Sequence, residues 1–170
     1  MSRRCHVSGW VLLAGSALLL ASGCASIHNS AANGDTKQVA DYLAKGVNVD
    51  DKDMSGRTPL HCAAGGGHVG TADFLLDKGA NINAADGAGR TPLAYAASSG
   101  SVPMVTDLLC RKADPAKGFV FIAAAQAGQK ETAIMILEAT NGITPLHRAC
   151  RKGDLKQTEK CLPYFDLKSV

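Results

Sequence analysis

The sequence predicts an all-α fold, a solenoid of about five stacked helix pairs, and three observations predict it. The tetrapeptide "RTPL" starts at Arg57 and again at Arg90. Gly34, Gly67 and Gly100 keep that same interval, and so do Gly46 and Gly79, each of which follows a helical apolar run. The composition, 46% hydrophobic but only 5% aromatic and rich in Ala and Gly, suits closely packed helices better than a large aromatic core. A self-similar period in the range of about 20–50 residues marks units that cannot bury their own apolar face and must stack on neighbours.

Each unit follows one physical pattern. In the second, Thr58 can cap a helix whose first position is Pro59, a residue suited to that site. Ala63 and Ala64 keep one face small so that a second helix lies close, Gly67 breaks the first helix, and Val69 to Leu76 forms the second. Gly79 fits a left-handed helix end, and "ANINAADGAG" is rich in turn formers. The first unit places Ile27 and His28 where the second has Leu60 and His61. The third, from Arg90, has Ala94 in place of the His. In the fourth, "FIAAAQAGQKETAIMILEA" keeps the helix pair but loses the Thr-Pro start, and "GITPLHRACRKGD" opens a fifth. The interval shortens from Gly100 to Gly128 and shortens again from Gly128 to Gly153. The connections Lys112–Phe119 and Ala139–Thr144 absorb the loss, so the last two units are expected to have shortened fingers. Pro163 ends the final helix, and "YFDLKSV" is expected to fold back as a cap.

Thr58-Pro59-Leu60-His61, Thr144-Pro145-Leu146-His147 and the partial match Thr91-Pro92-Leu93-Ala94 resemble the ankyrin repeat, from about Ala25 to Leu162. The resemblance implies an ankyrin-repeat solenoid in which His28, His61 and His147 hydrogen-bond the Thr-Pro turn and its neighbour. It further implies a protein partner met by the finger tips and the concave face of the first helices. By position these are Met54, Ser55, Arg57, Gly65 and Gly66 in the second unit, and Gly87, Ala88, Arg90, Ser98 and Ser99 in the third. Ala32 and Asn33 begin the row, Gln126 and Ala127 continue it, and Arg151 and Lys152 end it. The small residues let another backbone approach, and Arg57 and Arg90 are expected to grip carboxylates through paired hydrogen bonds.

Residues 1–23 read differently from the rest. Arg3 and Arg4 precede the apolar run "WVLLAGSALLL", and Ala21-Ser22-Gly23 supplies small residues suited to cleavage. The run is short for a permanent span, which needs about 20 apolar residues. Ala21-Ser22-Gly23-Cys24 resembles the lipobox of bacterial lipoproteins, with Ala21 where that family usually has Leu. The resemblance implies acylation of Cys24, with residues 1–23 a signal peptide and residues 24–170 one repeat domain. Ala25, rather than Asp, points by the same resemblance to the outer membrane facing the periplasm of a bacterial envelope. The competing reading is an ordinary secretory signal cut after Gly23.

Charge and motifs exclude most chemistry. Without residues 1–23 the chain has 16 basic against 15 acidic residues, so nucleic acid is not an expected partner. Gly65, Gly67 and Gly70 spell GxGxxG, but between two helices rather than after a strand, so no nucleotide site is expected. No nucleophile elbow, HExxH or CxxC is present, the histidines have repeat roles, and neither metal, cofactor nor catalytic residue is expected. Cys62, Cys110, Cys150 and Cys161 remain after Cys24. A Cys150–Cys161 bridge across the last helix pair competes with the simpler reading of all four as small buried hydrophobes, Cys62 among the core.

The expected function is therefore protein binding by a monomer, without chemistry of its own. Two forms of it remain open. One is occlusion of a toxin, as an immunity protein. The other is a scaffold or stress-protection factor for a resident periplasmic enzyme.

Overall fold

A computed structural model of the protein describes residues 26–141. Within them the chain forms four antiparallel helix pairs, in the order α1 (Ile27–Ala32), α2 (Thr36–Ala44), α3 (Pro59–Gly66), α4 (Val69–Asp77), α5 (Pro92–Ser99), α6 (Val102–Cys110), α7 (Val120–Gln126) and α8 (Lys130–Thr140). The odd-numbered helices stack on one another as an inner row, and the even-numbered helices form a more loosely packed outer row.

The local causes are those the sequence suggests. Thr58 and Thr91 are extended, and each hands over to a proline at the first helical position of α3 and α5. Both helices end at a glycine in the left-handed conformation, Gly67 and Gly100, which an L side chain would strain. Ala63, Ala64, Ala96 and Ala97 are fully buried, and their small side chains set the close spacing of the inner row. Leu60, Leu75, Leu93, Met104, Leu108 and Ile136 fill the space between the rows. On the outer side Arg111, at the end of α6, pairs with Asp73 of α4 at 2.8 Å and Asp77 at 3.2 Å, tying two outer helices together.

The fourth unit departs from the pattern, as its sequence predicts. Residues 45–58 and 78–91 link the first three units, whereas the link from α6 to α7 is only residues 111–119. Lys112 and Phe119 both take positive φ there, and Phe119 caps α7 in place of threonine. The backbone of Gly118 closes directly on Thr91: a Cβ on that glycine would stand 2.6 Å from the Thr91 nitrogen.

One face of this unit is uncovered among the described residues. Phe121, Ile122, Ile134 and Leu137 are about half exposed, whereas Leu93, Ala94, Thr106 and Leu109, which hold the same register positions in the preceding unit, are buried. The expected fifth unit, with Thr144-Pro145-Leu146-His147, Cys150, Arg151, Lys152, Cys161 and the Pro163 stop, lies outside the described residues, as does Cys24. Among the described residues no helix is long and apolar enough to cross a membrane.

Candidate functional site

The inner helices meet the fingers along a line of histidines. The Nδ1 of His61 accepts from the Thr58 N–H at 3.0 Å and lies 2.9 Å from the Thr58 hydroxyl, so the ring proton sits on Nε2. That Nε2 donates to the Arg90 carbonyl of the next finger at 3.0 Å. One unit earlier, His28 Nε2 donates to the carbonyls of Asp51 and Arg57 at 2.9 and 3.0 Å. His61 therefore performs the turn-and-neighbour role that the repeat resemblance implies, and His28 its neighbour half. His147 lies outside the described residues. Burial pushes the His61 pKa below its ordinary value, although the Arg90 carbonyl opposes that shift. Ala94, which takes the place of His in the third unit, leaves the buried Thr91 hydroxyl without a hydrogen-bond partner. His68 caps α4 and donates back to the Ala32 carbonyl at 2.9 Å.

The fingers are built on two aspartates, Asp53 and Asp86, at equivalent places in successive repeats. Asp53 accepts the N–H groups of Ser55 and Arg57 on one oxygen, at 2.8 and 2.9 Å. Its other oxygen takes Nε and Nη2 of the Arg57 guanidinium, both at 2.7 Å. Asp86 repeats this with Ala88 and Arg90, and its second oxygen also accepts the Tyr95 hydroxyl at 2.8 Å. Burial alone would raise the Asp86 pKa. The Arg90 N–H, the Tyr95 hydroxyl, the Ala88 N–H and the Arg90 side chain together outweigh it and hold the carboxyl at about 2. Burial, and then the hydrogen bond to Asp86, push Tyr95 up to about 12. The Arg90 guanidinium also lies over the Tyr95 ring at 4.7 Å and donates to its hydroxyl at 2.6 Å.

Between inner helices and fingers runs an open groove of about 880 Å³. Met54 and Arg57 form its finger wall, while Cys62, Gly65, Gly66 and Tyr95 belong to its helical side. Ser26, His28, Asn29 and Ala32 close the N-terminal end. A second cleft of about 290 Å³ continues the row between Arg90, Ala94, Tyr95 and Ser98 on one side and Ala123, Gln126 and Ala127 on the other.

The expected contact residues thus divide. Met54, Arg57, Gly65 and Gly66 line the first groove, and Arg90, Ser98 and Gln126 line the second cleft. Ser55, Gly87 and Ala88 stand at finger tips, where the Gly87 N–H donates to the Ser55 carbonyl at 2.9 Å and joins adjacent fingers. Ser99 is exposed but lines neither space, and its hydroxyl donates to the Ala96 carbonyl at 3.0 Å. Arg151, Lys152, Cys24, Cys150 and Cys161 fall outside the described residues.

Two expectations need correction. Arg57 and Arg90 are not open forks awaiting carboxylates, because each is already paired with the aspartate four residues before it. The signal was present in the sequence as "DMSGR" and "DGAGR", which place that aspartate identically in two repeats. Cys62 is core only in part: it packs against the buried cluster but is half-buried and lines the groove, with its thiol pKa raised by burial. Asn29, Cys62, Tyr95 and Ala123 share one register position, and every one of them faces the groove or cleft. Cys62 is a free thiol, while Cys110, fully buried at the end of α6, is disulfide-bonded rather than a simple buried hydrophobe. Among the described residues no three His, Cys, Asp or Glu side chains group as metal ligands.

The stacked helix pairs, histidine ties and fingers define a helical repeat protein with an open groove between its inner helices and its fingers. A family model for ankyrin repeats, in three copies, matches residues 27–119, more than half of the chain, and the chain belongs to the ankyrin-repeat family. Such proteins are generally binding scaffolds, and membership supports a role in protein–protein interaction. The matched span ends where the shortened link delivers the chain into α7. No curated protein matches the chain.

Proposed function

We propose that the chain is an exported, lipid-anchored ankyrin-repeat protein that binds one protein partner through its groove and finger loops. The observation that carries this reading is the open groove of about 880 Å³, which gathers Met54, Arg57, Gly65 and Gly66 on one continuous face. Residues 1–23 act as the signal peptide and Cys24 carries the lipid. Acyl chains contribute about 0.8 kcal/mol per buried methylene, so several on one cysteine hold a domain of this size at a bacterial outer membrane. Ser26, at the groove's end, is close behind Cys24 in the chain, so the anchor keeps that end near the bilayer surface.

The specific form we favour is inhibition by occlusion, in which the groove covers a toxin delivered between bacteria. The small size, the absence of a catalytic motif in the sequence and a tether in the compartment under attack support it. Cross-linking in intact cells with the native lipoprotein as bait, and a bait lacking Cys24 as control, tests the reading. One stoichiometric exported partner that is a toxin supports occlusion, and a resident enzyme supports a scaffold instead. No partner above the control contradicts both. Unchanged survival of a deletion strain among toxin-bearing siblings contradicts the immunity role alone.

A further inference from the structure

We infer that the groove between the second finger wall and α3 takes an extended, uncharged peptide segment, anchored by an aliphatic or aromatic side chain set between Met54 and Tyr95. It rests on the protein-binding reading above and names the chemistry of the partner.

The charges of the groove decide against an acidic ligand. Its lining holds Asp51 and Asp53 against Lys52 and Arg57, so it has no net charge. The two cations are committed to the wall itself. Arg57 gives Nε and Nη2 to Asp53, and the Lys52 ammonium donates to the Ala85 carbonyl at 3.2 Å. An incoming carboxylate would reach only the outer edge of an Arg57 guanidinium already neutralised by Asp53, and would lie beside that like-charged carboxylate, which the N–H groups of Ser55 and Arg57 hold in place. A neutral occupant requires none of this.

The remaining lining supplies apolar contact. Met54 is fully exposed, an unbranched thioether free to pack on whatever enters. In the same lining, the Tyr95 ring is held edge-on to His61 at 5.4 Å between centroids, and its hydroxyl is bonded to Asp86. The ring is therefore a fixed surface rather than a mobile one. A Cβ on Gly65 would meet only the Tyr95 side chain, at 3.5 Å, so the space above this glycine belongs to the groove and not to the fold. The fingers and inner helices leave a trough rather than a closed cavity, which suits a chain lying across it with one side chain inserted.

Selection of displayed random peptides of about 12 residues against the mature chain tests this, with the Gly65→Leu and Met54→Glu variants beside it. Gly65→Leu fills the groove from an unstrained helical position, and Met54→Glu changes a side chain that touches nothing, so circular dichroism of both should match the parent. The expected result is enrichment of peptides carrying one aliphatic or aromatic anchor and few acidic residues, with binding about tenfold or more weaker to each variant. Enrichment of acidic peptides that also depends on an open Gly65 overturns the inference while leaving the groove as the binding face. Peptides that bind the Gly65→Leu variant as well as the parent, or no enrichment at all, overturn the groove reading and this inference together.

Discussion

The Nε2 of His61 donates to the carbonyl oxygen of Arg90, 29 residues away, and thereby joins the first helix of one unit to the finger of the next. His28 makes the same reach to Arg57 across the same interval. These two bonds carry the period of the sequence into space. They place the finger wall of the groove relative to its helical side.

Replacing His61 by Ala should cost about 2–4 kcal/mol. It removes the Arg90 contact, leaves the buried Thr58 N–H and hydroxyl without their acceptor, and opens a cavity under Tyr95. Urea unfolding followed by circular dichroism reads the change. A loss below about 0.5 kcal/mol, the range of ordinary surface substitutions, would contradict the role assigned to this ring.

Stability should fall with acid in two steps. His61 is neutral in the fold and its folded pKa lies below the ordinary 6.5, so its contribution is present above that value. It is lost as pH falls from 6.5 through the folded pKa, because the unfolded chain binds the proton more readily. Asp86, with a folded pKa of about 2 against an ordinary 3.8, acts in the same direction lower down: its contribution is present above 3.8 and disappears as pH falls through about 2. Urea midpoints measured from pH 8 to pH 2 should show both limbs, and Asp86→Asn should shrink the lower one, leaving the part that Asp53, also held below its ordinary value against burial by its bonds to Arg57 and Ser55, contributes.

Gly118→Ala should destabilise the chain by about 1–3 kcal/mol, whereas Gly65→Ala should be neutral or stabilising. At Gly118 the φ of +75° and the Thr91 backbone nitrogen 2.6 Å from the new Cβ both oppose a side chain. Gly65 is helical with an ordinary contact, and alanine is the better helix former by about 1 kcal/mol. Thermal melts of the pair test whether the shortened link is as tightly seated on Thr91 as the geometry indicates.

Truncation after residue 141 should produce a chain that self-associates. Phe121, Ile122, Ile134 and Leu137 form an apolar face at register positions that are covered in the preceding unit. Sedimentation velocity in reductant, on chains beginning at residue 24 with and without residues 142–170, reads the difference apart from any thiol cross-link through Cys110. A truncated chain that stays monomeric and as stable as the parent would argue against a fifth unit stacking on that face.

Much of this was legible in the sequence because the repeat sets the same physical problem several times. Thr58 and Thr91 before proline, Gly67 and Gly100 at helix ends, and the alanine pairs of the inner row each announce their own cause. The site was only partly legible. Arg57 and Arg90 read as free because arginines on a surface usually invite a partner, and the aspartate four residues earlier is recognisable only when the two fingers are compared. Cys62 reads as core because it sits between two buried positions, His61 and Ala63. The helical turn at that point nonetheless turns its register toward the groove, as it does for Tyr95. The left-handed Phe119 and the seating of Gly118 on Thr91 could not be read from the chain. They follow from how a shortened link must close between two fixed helix pairs.

The most direct test of the account places a photo-cross-linking amino acid at Met54, fully exposed on the groove wall, and separately at Gly70, on outer helix α4 with nothing near a Cβ. In cells making the full-length protein, a single discrete adduct from position 54 and none from position 70 is the predicted result. Equal adducts from both positions, or an adduct from position 70 alone, would contradict a partner held in the groove.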